Sequence, residues 1–413
     1  MNQTLSTQHA IRVFLTLALA YFLSTLMRTI TATLSPVLVQ AFTLSASDLG
    51  LLAGGYFMGF AFTQLPMGRA LDRHGPRKVQ LLFLTMAVAG CLLFAVAEHF
   101  AVLLLARVMV GVGVSACLMA PLTGYRRWLS VGAQLRANSW MLMTGSLGML
   151  ASTLPVQWLL PQVGWRPILV GMAGLFVVAM LLIRLQVPEW QAQEPANSSE
   201  GVWESYKPVW RNHTFIRLSP VGFFCYGGLL AMQTLWASPW MIHVSSASPQ
   251  EAAFGLFIIN LAMLGTFWSW GWINPWLSKN GFDAQRLLAW GIPLHLLATL
   301  QLVISGTDTT VWSWVAFCMS CSVVTVAQPA VGLAFESRLA GRALSAYNLV
   351  IFVGVFVIQW GYGLMVDTFQ TQGFGKVDAY RWALAIFLVA CSASYLHFLW
   401  YGRDNSAQTN ATS

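Results

Sequence analysis

The chain has 413 residues, of which 57% are hydrophobic and 9% charged, with a formal net charge of +8 and a mean hydropathy of +0.64. So little polar surface cannot cover a water-soluble fold, which excludes a soluble globular protein. The basic balance would suit nucleic acid, but the placement of the bases along the chain gives it another meaning.

Apolar runs of about 20 residues, the length that crosses about 30 Å of hydrocarbon, recur about twelve times. They fall near 12–34, 47–67, 79–97, 101–124, 137–160, 165–187, 215–242, 251–277, 286–305, 309–335, 343–366 and 380–401. The predicted fold is an all-α membrane protein with twelve transmembrane helices in two six-helix bundles. The one long hydrophilic interruption, Val187 to His213, divides the spans six and six. The expected layout is an N-terminal bundle over 1–187, a cytoplasmic linker over 188–213, a C-terminal bundle over 214–401 and a cytoplasmic tail over 402–413. With the N-terminus inside, only Arg166, Lys376 and Arg381 fall outside, apart from two bases within spans. That asymmetry obeys the positive-inside rule, so basicity sets topology and both termini are expected in the cytoplasm. The halves repeat one another at an offset of about 200 residues, as a duplicated transporter would. Leu135-Arg136-Ala137-Asn138-Ser139 opens span 5 as Gly341-Arg342-Ala343-Leu344-Ser345 opens span 11, and Trp165-Arg166 opens span 6 as Arg381-Trp382 opens span 12.

An ionisable side chain at the centre of a span costs about 2.5–3.5 kcal/mol on insertion scales, so a charge retained there points to function. In span 1, Tyr21, Thr25 and Arg28 recur at i, i+4 and i+7, a polar stripe on one face that is expected to line water. Between spans 2 and 3 lies Gly68-Arg-Ala-Leu-Asp72-Arg73-His-Gly75-Pro-Arg77-Lys78, where Gly68 and Gly75 give freedom for a tight reversal and the bases hold it at an anionic membrane face. Span 4 carries Arg107, whose guanidinium offers five fixed donors, followed by Gly111 and Gly113, which let a neighbouring helix come close. No Asp or Glu falls at mid-membrane, so a cavity around these two cations should attract anions and repel cations.

The second half carries neutral, aromatic stripes. Tyr226, Gln233, Trp236 and Trp240 share a narrow arc of span 7; Trp314, Cys318, Cys321, Thr325 and Gln328 do so on span 10, and Asn348 and Gln359 share a face of span 11. Gln233, Trp236, Trp240 and Gln328 are the candidate substrate contacts here, beside the alternative that the stripes are packing. All six cysteines lie within spans, so no disulfide framework is readable, and Cys318-x-x-Cys321 has no His or acid nearby to make a metal site. His295 and His397 are expected to be packing residues.

Several of these stretches carry a family resemblance. Gly68, Asp72, Arg73 and Gly75 match in register the signature loop of the major facilitator superfamily, Gly-x-Leu-Ala-Asp-Arg-x-Gly-Arg-Lys; Ala70 and Leu71 are transposed, and Pro76 displaces the next base by one place. Arg107-Val-Met-Val-Gly111-Val-Gly113 resembles the helix 4 motif of the same family. Arg28, with Ser35 and Pro36 after it, is similar to the helix 1 arginine of the anion-cation symporter branch, where that residue meets an anionic substrate. Met27 stands where that branch carries an acid. In span 5, Gly145 and Gly148 are present, but Pro155 comes too late for the antiporter pattern. The resemblance implies that helices 1, 4, 7 and 10 border a cavity. It also implies that Asp72 meets the N-terminus of helix 11, near Gly341 to Ser345, so that Gly68, Asp72, Arg73, Gly75, Arg77 and Arg342 gate the cytoplasmic side.

The expected function is a secondary transporter of a small organic anion, working as a monomer in the inner membrane by alternating access. No Gly-x-x-x-x-Gly-Lys loop is present, so a gradient of protons or sodium is the expected energy source, with no cofactor and no nucleic-acid partner. The alternative is an efflux pump for amphipathic compounds, suggested by 19 tryptophans and 17 methionines. Against an enzyme, no Ser/His/Asp set, metal-ligand cluster or paired carboxylates can be found.

Overall fold

A computed structural model describes residues 5–190 and 204–411; residues 191–203 of the expected linker lie outside it. The regular structure among the described residues is helical throughout. In the first half it runs α1 (Thr7–Phe42), α2 (Ala46–Phe62), α3 (Gln64–Ala95), α4 (Phe100–Val114), α5 (Ala116–Trp128), α6 (Val131–Ala151), α7 (Leu154–Val163) and α8 (Trp165–Gln186). The second half continues with α9 (His213–His243), α10 (Pro249–Lys279), α11 (Ala284–Ser305), α12 (Val311–Leu333), α13 (Ser337–Thr371) and α14 (Lys376–Ala411). The last of these carries the helix on through most of the stretch expected as a tail.

Ten helical segments among the described residues are long and apolar enough to cross a membrane. The expected spans 2 and 5 fill the remaining two places of the twelve. Span 2 falls short because α2 has 17 residues and ends at a turn before α3. Span 5 falls short because α6, with 21 residues, carries Gln134, Arg136, Asn138 and Ser139 and is too polar. The helix is also interrupted at Ser152 and Thr153, whose hydroxyls bond back to Met149 O and Leu150 O just ahead of Pro155, a residue with no amide hydrogen to give.

The charged turn is tighter than its sequence suggested. The reversal is made at Gly75 alone, at φ 76° and ψ 167°, with Pro76 opening the next helical run, whereas Gly68 stays within regular helix. A side chain at Gly75 would also collide with Trp190, whose ring lies 3.8 Å from the Arg127 guanidinium.

Contacts divide the chain into two units, one of Met1–Thr43 with Gly55–Glu200, the other of Leu44–Gly54 with Gly201–Ser413. The duplication is visible within each. Arg166, at the start of α8, donates to the Ala95 and Ala97 carbonyls at the end of α3, at 3.1 and 3.0 Å. In the second unit Arg381, at the start of α14, donates to Val303 O at 3.0 Å and Ile304 O at 3.4 Å, at the end of α11. Each arginine thereby satisfies the open carbonyls and the partial negative charge of a helix C-terminus. The starts of α2 and α10 repeat as well. Ser45 and Asp48 exchange backbone-to-side-chain bonds in a capping box, and Ser248 and Glu251 do the same.

The first half of α2 belongs with the second unit for two reasons. A Cβ at Gly50 would overlap the Gln359 carbonyl and one at Gly363 the Ala46 carbonyl, so α2 and α13 run nearly backbone to backbone. In addition, Asp367 of α13 accepts the Ala46 amide at 3.1 Å and the Ser47 amide at 2.7 Å. Asp367 and the Ser45–Asp48 box together bind the four amides from Ser45 to Asp48. Asp367→Ala is therefore expected to cost about 1–3 kcal/mol, read as a lowered thermal midpoint, with Asp367→Asn recovering part of it.

Candidate functional site

Arg107 of α4 is the central residue of the first unit. Its side chain is 1% exposed, and Nη1 donates to the Met27 carbonyl of α1 at 3.0 Å. The guanidinium lies 5.2 Å from the centre of the Tyr56 ring, on α2, whose hydroxyl donates to Ser24 O at 3.2 Å. Nε and Nη2 are buried and have no hydrogen-bond partner among the described residues. No ion pair among those residues includes Arg107; the three present join Arg77 to Glu189, Lys207 to Glu204 and Arg381 to Asp378. A full positive charge with two of three nitrogens unbonded is held in a low-dielectric interior, where an anion would complete it.

The helices reach this geometry through glycine. A Cβ on Gly111 would overlap the Tyr56 carbonyl, one on Gly59 the Val108 carbonyl, and one on Gly113 the Ala87 amide. Only with hydrogen at these places do α2 and α3 come close enough to α4 to seal Arg107 inside.

The stripe expected on span 1 divides. Arg28 is half-buried, its guanidinium 5.7 Å from the Phe60 ring. Tyr21 and Thr25 are buried against α6, facing Gly145 and Gly148, and Thr25 donates its hydroxyl to Tyr21 O and Phe22 O of its own helix. They therefore form part of the α1–α6 contact.

In the second unit the candidate residues hold one another. Gln233 donates to Asn260 Oδ1 at 2.8 Å, and the Trp236 indole to Gln359 O at 3.1 Å, its ring 4.7 Å from Tyr362. The Trp240 indole donates to Thr309 Oγ1 at 2.8 Å, with its ring 5.9 Å from Trp314. Gln328 is half-buried and donates to Asn348 Oδ1 at 2.8 Å. Asn260 and Thr234, which bonds Gln359, are network members that the sequence reading passed over. Helix α9 also departs from α geometry twice, in π-helical turns at Val221–Tyr226 and Met232–Trp236. Such wide turns often occur at functional positions in helices. Of the expected packing residues, His295 is fully buried with its ring 4.9 Å from Phe317, and His397 stacks on Tyr401 at 5.0 Å.

Of the expected gate, Arg73 is exposed, Arg77 bonds the Glu189 carboxylate at 3.3 Å, and Arg342 is half-buried near the start of α13. The Asp72 side chain lies outside the described residues. The six cysteines are free and buried, and no cluster of metal ligands occurs among the described residues.

The family model of the Major Facilitator Superfamily matches residues 17–359, which takes in both units. The chain belongs to the major facilitator superfamily. It is similar to the probable L-galactonate transporter of Escherichia coli K12, with 19% identity over 391 residues, covering 87% of this chain and 82% of that one. It is also similar to the putative niacin/nicotinamide transporter of Bacillus subtilis 168, with 24% identity over 238 residues and 55% of each chain covered. Among solved structures, an inward-facing bacterial homologue of the human lysosomal transporter Spinster superposes with a TM-score of 0.77 at 19% identity, covering 96% of this chain and 98% of that one. The D-xylose-proton symporter does so at 0.75 and 14% identity, covering 94% and 97%. These likenesses fix the superfamily fold. As a superfamily member the chain is a multi-pass membrane transporter for a small molecule, and not an enzyme.

Proposed function

We propose that this transporter carries a small organic anion of the carboxylate-metabolite type by alternating access across a bacterial inner membrane, with both termini cytoplasmic. The observation that supports this reading is Arg107, a buried guanidinium with two nitrogens unbonded and no carboxylate bound to it among the described residues. In this proposal the substrate carboxylate takes Nε and Nη2, and Arg28 gives it a second cation at the edge of the site. Tyr56 is a wall of that site. A relative named for L-galactonate agrees with an anionic cargo. Coupling to a proton or sodium gradient and action as a monomer belong to the same proposal, as does gating by the Gly68–Arg77 turn with Arg342.

Uptake of radiolabelled monocarboxylates and sugar acids into membrane vesicles tests the reading. Arg28→Ala is expected to reduce anion uptake by about ten-fold or more, the loss of one charge-assisted bond. Undiminished anion uptake in that variant, together with outward transport of amphipathic dyes, would replace this reading with the efflux one.

A further inference from the structure

A cavity of about 240 Å³ opens at one end of the second unit, with none of the residues assigned above in its lining. Its walls come from α9, α11, α12 and α14 and include Leu218, Leu288, Leu333 and Phe398, with Thr214, Arg217 and Gln285 as the polar members. Helices α9 and α11 begin here, whereas α12 and the apolar stretch Lys376–Gly402 of α14 end here. The cavity therefore lies where hydrocarbon gives way to headgroups.

Arg217 is fixed in this cavity in an unusual way for a surface cation. Nε donates to Phe398 O at 2.9 Å and Nη1 to Gln285 Oε1 at 2.8 Å, while the guanidinium carbon sits 4.3 Å from the Phe398 ring centre. Both bonds go to neutral acceptors, and no ion pair among the described residues includes Arg217. The neighbouring acid, Asp283, accepts the Arg286 amide at 2.8 Å as the cap of α11, and makes no ion pair with Arg217. A Cβ at Gly402 would overlap Nη2, so the chain leaves room for the guanidinium at this place. Leu333 stands at the rim, 87% exposed. Lys207 and Arg211 precede α9, Lys279 ends α10, and Arg286 lies in the first turn of α11.

We propose that this cavity binds an anionic phospholipid, with the phosphate on Arg217 and the first part of an acyl chain along Leu333 and Ala334. A soluble phosphate would satisfy the arginine but leave the apolar rim uncovered, and a zwitterionic lipid would bring a second cation to a basic site. An anionic lipid answers both, and it would tie four helix ends together.

The test uses the full chain purified in detergent, titrated with phosphatidylglycerol, phosphatidylcholine or glycerol phosphate. It is read by thermal unfolding and by lipid adducts in native mass spectrometry. Phosphatidylglycerol is expected to raise the midpoint and to remain as an adduct, and the other two are expected to do neither. Arg217→Gln should weaken the apparent affinity for phosphatidylglycerol about five-fold, the usual value of one base near an anionic surface. Leu333→Trp, which fills the mouth from an exposed position, should weaken it as well, and it decides the matter alone if Arg217→Gln loses its monodisperse elution peak. An equal response to phosphatidylcholine overturns the proposal, an equal response to glycerol phosphate replaces the lipid with a soluble anion, and wild-type affinity in the folded variants removes the site.

Discussion

Arg107→Met is expected to abolish anion uptake while leaving the protein as stable as before or more so. The guanidinium is buried, bonds one carbonyl and leaves two nitrogens open. Removing one member of a buried charge pair with the substrate should lower transport on the order of 100-fold. In the empty protein the same group is a desolvated charge, and replacing buried charges by apolar side chains of similar size is neutral or stabilising by about 1–4 kcal/mol. Uptake assays and thermal unfolding of the same preparations separate the roles: a fall in both would make Arg107 a structural pin between α1 and α4. Arg107→Lys should not restore uptake, because an ammonium lacks the planar fork.

Gly111→Ala should do the reverse, with stability failing first. Its new Cβ would overlap the Tyr56 carbonyl, and backbone on backbone leaves no flexible end to yield. Overpacking typically costs about 1–3 kcal/mol and occasionally more, and this position belongs at the upper end of that range. The contact that opens is also the one holding Tyr56 against Arg107, so residual folded protein should transport poorly. A wild-type thermal midpoint for Gly111→Ala would mean that α2 and α4 are not in this close contact.

The spans, the duplication and the burial of Arg107 could be read because a charge in hydrocarbon and a run of about 20 apolar residues each have few explanations. Tyr21 and Thr25 could not, because helical spacing gives a shared face but not what covers it, and here the cover is Gly145 and Gly148. The span 7 stripe assumes uninterrupted α geometry, and two π-helical turns shift its phase. Other signals were present and passed over. Ser45-x-x-Asp48 and Ser248-x-x-Glu251 are capping boxes at matching places in the two halves, and Gly50, Gly54, Gly55 and Gly59 are spaced for two close helix contacts. Asp367 was not legible at all, since its partners are backbone amides more than 300 residues away.

The divided allegiance of α2 bears on how this polypeptide can be dissected. A cut within the hydrophilic interruption looks natural, yet the carboxy-terminal fragment would lose the strip that covers Gly363 and occupies Asp367. Such a fragment made alone should be aggregation-prone, and co-expression with its counterpart, or a graft restoring residues 44–54 in trans, should rescue it. For this carrier the genetic halves and the folding halves are different objects.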